Sequence, residues 1–283
     1  MIGPLRRSLS VSAAVPLLAL GLYALFSRGA PWRGEWAWTL DWATGSLFLL
    51  GPIMAGCAAY DTATWRKASR TLLDATVRGP RARGLPMIGT LVVGLAVYVV
   101  VALVAAVSTV SAGARPEWDL RLLVLAGASA AAAAGIGGLL GWVWPTPFVA
   151  PVAVIVVFAS GLAADGTPVP AIFRIGGTTG TLVGLTLGAR FFWSMTALCL
   201  LVAAACVAWV LARDRRGRFV ATTVTVVLVG TGAAVTADPP QRLVTSSQPI
   251  TYVCRGHEPS LCLAEQTQRL LGTLPAQLAV RAR

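Results

Sequence analysis

The chain has 283 residues, of which 56% are hydrophobic and 12% charged, and its mean hydropathy is +0.74. A soluble fold of this length needs a charged surface, so the composition excludes the soluble globular classes and describes helices that have lipid as their solvent. The formal charge of +12 points to nucleic acid only in a soluble protein; here the positive residues sit beside apolar runs, where they set topology and meet the headgroups of membrane lipids.

A helix needs about 20 apolar residues to cross a hydrocarbon layer of about 30 Å, and seven stretches qualify. The first spans Ser10 to Phe26 behind Arg6 and Arg7; SRGAPWRG offers no small-x-small cleavage site, so it reads as an uncleaved span. The second runs from Ala43 to Tyr60. After it comes a basic segment, 61–85. At 100° per residue, Trp65, Ala68, Ser69, Leu72, Leu73, Ala75 and Thr76 fall on one arc and Arg66, Lys67, Arg70, Asp74 and Arg78 on the other. That division predicts an amphipathic helix lying flat on the membrane surface. It serves either as a basic loop on anionic lipid or as a docking element for a cytoplasmic subunit.

The third span is Pro86 to Val110. Between Arg121 and Asp165 lie 43 residues without a formal charge, enough for spans four and five, with Pro145, Pro147 and Pro151 at the reversal. The 15 residues between Arg174 and Arg190 are too few to cross, so the stretch 166–192 reads as a re-entrant or short-helix insert. Within it Gly176, Gly180, Gly184 and Gly188 recur every fourth position, which on a helix makes one glycine face for close packing; Gly137 and Gly141 repeat the spacing once. Met195 to Ala212 is the sixth span and Phe219 to Ala237 the seventh.

From residue 238 the chain is polar for its remaining 46 residues, too few for an independent core. Cys254 and Cys262 enclose RGHEPSL and can close a short disulfide loop in an oxidising compartment. A zinc site at Cys254, His257 and Cys262 is the weaker alternative, because no fourth ligand lies nearby. Cys57, Cys199 and Cys206 fall within spans and read as small apolar residues.

With the amino terminus cytoplasmic, the inner segments hold 12 basic residues and the outer loops 6. The bias gives a plasma-membrane protein with its amino end inside and its tail outside. Arginine outnumbers lysine 22 to one, in keeping with a GC-rich bacterial gene. No Asp, Glu, Lys or His lies within the spans so drawn, which counts against an ion-coupled transporter. The serine of the GAS stretch at Gly127 to Ser129 has no base to activate it, since the only histidine is His257. His257 and Glu258 lack a nucleophile beside them. No GxxxxGK[ST] is present. The expectation is a protein that is not an enzyme and holds no cofactor or metal.

Six spans from Ser10 to Ala212, with the basic stretch YDTATWRKASRTLLDATVRGPRARGLP after span two and a short insert before span six, resemble the permease subunits of six-helix ABC exporters. The segment VCRGHEPSLCL is similar to an outer segment of some actinobacterial permease-like proteins. The resemblance implies an all-α polytopic membrane bundle with a six-span core at 1–218; the seventh span at 219–237 and the extracytoplasmic tail at 238–283 depart from the family's six-helix plan. It also implies a homo- or hetero-dimer of permease chains and a separate cytoplasmic ATPase docked at Trp65, Arg66, Lys67, Arg70, Asp74 and Arg78. The alternative is a non-transporting scaffold or sensor that works through its tail.

Overall fold

The computed structural model describes residues 8–75, 82–114, 119–162, 175–212, 219, 222–223, 226, 230, 242–246, 252–255 and 261–264. It is an all-α bundle with two small sheets. The helices are α1 Leu9–Ser12, α2 Ala14–Phe26, α3 Trp36–Gly45, α4 Leu47–Ala75, α5 Leu85–Val110, α6 Leu120–Val143, α7 Val149–Leu162 and α8 Ala189–Leu211. Among the described residues, four helical stretches, Trp36–Ala68, Leu85–Val110, Leu120–Val143 and Ala189–Leu211, are long and apolar enough to cross a membrane, and Ala14–Phe26 and Val149–Leu162 are shorter apolar helices. The protein is therefore a membrane helix bundle.

Local chemistry sets the breaks. Pro16 has no N–H to donate to Ser12, and the chain interrupts there between α1 and α2. Ser46 turns α3 into α4, its hydroxyl donating to the Ala43 carbonyl at 2.6 Å. Asp119 caps α6 by accepting from the Arg121 N–H at 3.0 Å.

The helices alternate between two ends of the bundle. Ser8 and Ser10 bond to Asp61, so α1 begins beside the second half of α4. Thr39 meets Thr109 at 2.5 Å, so the start of α3 and the end of α5 share the opposite end. Arg121 donates to the Leu187 carbonyl at 3.0 Å, which brings the starts of α6 and α8 to that end too. The two helices run parallel, with Gly135 against Ala203. Helix α8 accordingly finishes at the amino end of the bundle, while Arg242 lies at the opposite end against Asp41. Between them, Phe219, Thr222, Thr223, Val226 and Gly230 have helical backbone. Most of the expected seventh span and of the tail lies outside the described residues.

Helix α6 is the centre, packed between α4 and α8. Its small residues make this possible. A Cβ at Gly137 would sit 2.0 Å from the Ala55 carbonyl oxygen, and one at Gly141 would sit 2.1 Å from that of Ala59.

Three expectations are corrected. The second span starts at Trp36 rather than Ala43, since Trp36–Thr39 join the helix despite their low hydropathy. The basic segment is not a separate helix lying flat: α4 runs unbroken from Leu47 to Ala75, because neither Gly nor Pro occurs from Cys57 to Ala75. Of the insert at 166–192, residues 175–188 are not helical and 189–192 belong to α8. The former run as loop into the strand β1 Leu185–Leu187, which pairs antiparallel with β2 Leu243–Thr245. Gly176, Gly180, Gly184 and Gly188 therefore form no helix face; Gly180 and Gly184 have φ of +111° and +76°, left-handed geometry that glycine adopts freely and a helix excludes.

Candidate functional site

Helices α3 and α4 carry three buried carboxylates, Glu35 just before α3, Asp41 within it, and Asp61 in the second half of α4, exposed by 5%, 1% and 8%. A buried carboxylate is tolerated when donors surround it, and each of these has gathered a different segment of chain to supply them.

At the opposite end, Asp41 holds residues 176–178 and 242. Its backbone carbonyl accepts from Gly177 N–H at 3.0 Å. Its carboxylate accepts from Thr178 N–H at 2.8 Å and forms an ion pair with Arg242. Arg242 also donates to the Thr178 hydroxyl at 3.0 Å. Burial pulls the guanidinium down to about 10, still far enough above neutrality to keep it charged. Glu35 accepts from the Thr181 hydroxyl at 2.6 Å and from the Leu182 N–H, and the Trp38 indole donates to the Thr178 carbonyl at 2.8 Å. Close approach here requires glycine, because a Cβ on Gly176 would lie 2.4 Å from the Asp41 carbonyl oxygen and one on Gly45 2.6 Å from the Gly177 backbone. Gly176 thus packs tightly, though as a loop residue against α3.

At the amino end, Asp61 accepts from the hydroxyls of Ser8 at 2.6 Å and Ser10 at 2.5 Å, and from the N–H groups of Leu9 at 2.7 Å and Ser10 at 3.2 Å. The Ser10 hydroxyl continues to Thr90 at 2.6 Å. A carboxylate on α4 thus supplies the acceptor that the first N–H groups of α1 lack within their own helix. Asp61→Ala is expected to destabilise the docked start of α1 by about 2 kcal/mol, seen as faster backbone hydrogen exchange over residues 8–12. Unchanged exchange there would refute the capping role.

The docking residues divide. Trp65 is half-buried and packs on the core. Arg66 is also half-buried: it donates to the Trp142 carbonyl and lies 5.1 Å over the Trp142 ring, which Arg83 approaches at 5.3 Å. These two cations tie α4 and the start of α5 to the end of α6. Lys67 is exposed. Arg70 and Asp74 lie on the helical backbone of α4, and Arg78 lies outside the described residues. In the tail, β3 Tyr252–Arg255 pairs antiparallel with β4 Leu261–Ala264, with Cys254 opposite Cys262. Cys254 is disulfide-bonded, whereas Cys57, Cys199 and Cys206 are free and buried. His257 and Glu258 lie outside the described residues.

Glu35, Asp41, Asp61 and Arg242 were not singled out by the sequence reading. Their signal was present: Asp41 and Asp61 bracket a stretch with no charged residue, and an acid at each boundary of a span asks for a partner. Among the described residues no group of three or more His, Cys, Asp or Glu could hold a metal ion. The arrangement fastens peripheral chain to one central rod. Comparison with protein families, curated proteins and solved structures found no match to this chain.

Proposed function

We propose that the chain is the transmembrane, permease-like subunit of an ATP-driven exporter of the bacterial plasma membrane, working with a separate cytoplasmic ATPase. The observation that carries the reading is α4. Over its 29 residues, about 43 Å at the α-helical rise, it leaves the charge-free stretch at Asp61 and continues without a break into the basic sequence as far as Ala75. A continuous helix that is core at one end and charged at the other can pass a push from a cytoplasmic partner into the bundle. Lys67, Arg70 and Asp74 are its contact residues, with Arg78 beyond them, while Trp65 and Arg66 fix the helix to the bundle. The chain has no phosphate-binding loop of its own, so the nucleotide chemistry belongs to the partner.

Purification of the full chain from its native membrane in mild detergent is expected to bring down a P-loop ATPase in near-stoichiometric amount, and Lys67→Glu to weaken that association. Consistent recovery of the chain without an ATPase would end the reading.

A second reading is a scaffold or sensor acting through its extracytoplasmic tail. What favours it is the ion pair of Arg242 with Asp41, which joins the chain after residue 238 directly to the bundle. Deleting 251–283 separates the two: a scaffold loses its activity, and an exporter keeps its ATPase.

A further inference from the structure

The segment 175–188 is fastened in an uneven way. Ile175 and Leu182 are buried, at 1% and 4% exposure, and Leu187 is held through its carbonyl by Arg121. Between Gly176 and Thr181 the hydrogen bonds to the bundle go to Glu35, Trp38 and Asp41, beside the close approach of Gly176 and Gly177 to Gly45. Gly177, Gly180 and Gly184 have φ of +84°, +111° and +76°, so three points of this short segment are free of the Cβ restriction and can change backbone geometry cheaply. By contrast, the segment is bound closely to the chain that follows the bundle. Besides the pairing of β1 with β2, Gly188 N–H donates to the Arg242 carbonyl at 2.9 Å and Ser246 N–H to the Gly184 carbonyl at 2.8 Å.

We propose that residues 175–188, zipped to 242–246, are a strap across the end of the bundle opposite the amino terminus, latched to α3 by the Asp41–Arg242 ion pair and released as one unit when that pair separates. The energetics suit a latch. The desolvation of a buried ion pair largely offsets its attraction, so the closed state is only modestly favoured. The Arg242 Nε is buried with no hydrogen-bond partner among the described residues, a further cost of closure. Once the pair is parted, each buried charge lacks compensation and is drawn towards water, which closed geometry denies it. Arg242 is the natural point of release, since its side chain keeps 23% of its exposure while that of Asp41 keeps 2%. The latch stands on this geometry whatever the chain transports.

Hydrogen exchange of the full chain in lipid nanodiscs tests it. The amides of Gly177, Thr178 and Leu182 are bonded to Asp41 and Glu35 and report closure without any label. Arg242→Gln leaves these acceptors in place and removes only the latch. It is expected to speed exchange of the three amides at least tenfold, in step with those of 243–245, while α5 keeps its protection. Arg242→Lys keeps the charge but loses the paired nitrogens, and is expected to fall between the two. Unchanged exchange over 177–182 in Arg242→Gln would overturn the latch, as would loss of α5 protection to the same extent. Should that variant fail to fold, the wild type decides: one common opening rate for the three amides supports the strap, and separate rates overturn it.

Discussion

Alanine at Gly137 or Gly141 is expected to destabilise the folded bundle by about 1–3 kcal/mol each, whereas alanine at Gly127 or Gly89 is expected to stabilise it by about 0.5–1 kcal/mol. The four glycines sit in helices, so intrinsic propensity favours alanine at all of them. What separates them is the neighbour. A Cβ at Gly137 or Gly141 meets the carbonyl oxygen of Ala55 or Ala59 at 2.0 or 2.1 Å, and nothing lies within 4 Å at Gly127 or Gly89. The obstruction is helix backbone, which cannot swing aside as the end of a flexible side chain does, so relief requires α4 and α6 to part. Thermal unfolding in one mild detergent compares all four; a Gly137→Ala midpoint equal to that of Gly127→Ala would show that the seam between α4 and α6 is looser than described.

Trp32→Ala is expected to cost about 3–5 kcal/mol, the largest single loss from the turn between α2 and α3. Trp32 is fully buried, at 0% exposure, among Leu25, Trp42, Val101 and Ala105. Its ring packs against that of Phe26, tilted by 50° with centroids 5.8 Å apart, and its indole donates to the Leu25 carbonyl at 3.1 Å. Its own carbonyl accepts from the Glu35 N–H at 3.2 Å and from the Thr39 hydroxyl at 3.2 Å. The residue therefore sets the entry of α3 and, through it, the place of both Glu35 and Asp41. Trp32→Phe keeps most of the apolar contact and is expected to lose less than half as much. Equal melting of Trp32→Ala and wild type would refute the anchoring role.

These residues also show where the sequence could be read and where it could not. Hydropathy was sufficient for the existence of the long helices: α5 lies on the run 86–110, α6 and α7 share the uncharged run between Arg121 and Asp165, and α8 covers 195–211 but begins earlier, at Ala189, because an unbroken apolar stretch in lipid has no satisfactory backbone but a helix. Pro145 and Pro147 fall between α6 and α7, where proline breaks a helix, while Pro151 sits in the first turn of α7, where a missing N–H costs nothing. Glycine spacing was a poorer guide. The fourfold repeat from Gly176 to Gly188 counted for more by number than the single pair at 137 and 141, yet the pair makes the close helix contact. Period four in glycine marks a helix only where the intervening residues are apolar, and TTGTLVGLTL between Gly177 and Gly188 contains the threonines and the φ-positive glycines of a loop. The amphipathic arc from Trp65 is present as a pattern, but it begins on α4, continuous with the span, and at its start Trp65 packs on the core. The carboxylates were overlooked because a span drawn from Ala43 to Tyr60 stops just short of both Asp41 and Asp61.

That spacing constrains how the protein can move. Asp41 and Asp61 are 20 positions apart along what is close to one helical rod, about 30 Å at the helical rise, which matches the thickness of a hydrocarbon layer. Sliding the rod along the membrane normal in either direction would drag one acid and its hydrogen-bonded retinue into the oil, at considerable energetic cost. Piston-like travel is thereby suppressed, and the displacements left to it are tilt and rotation about its own axis.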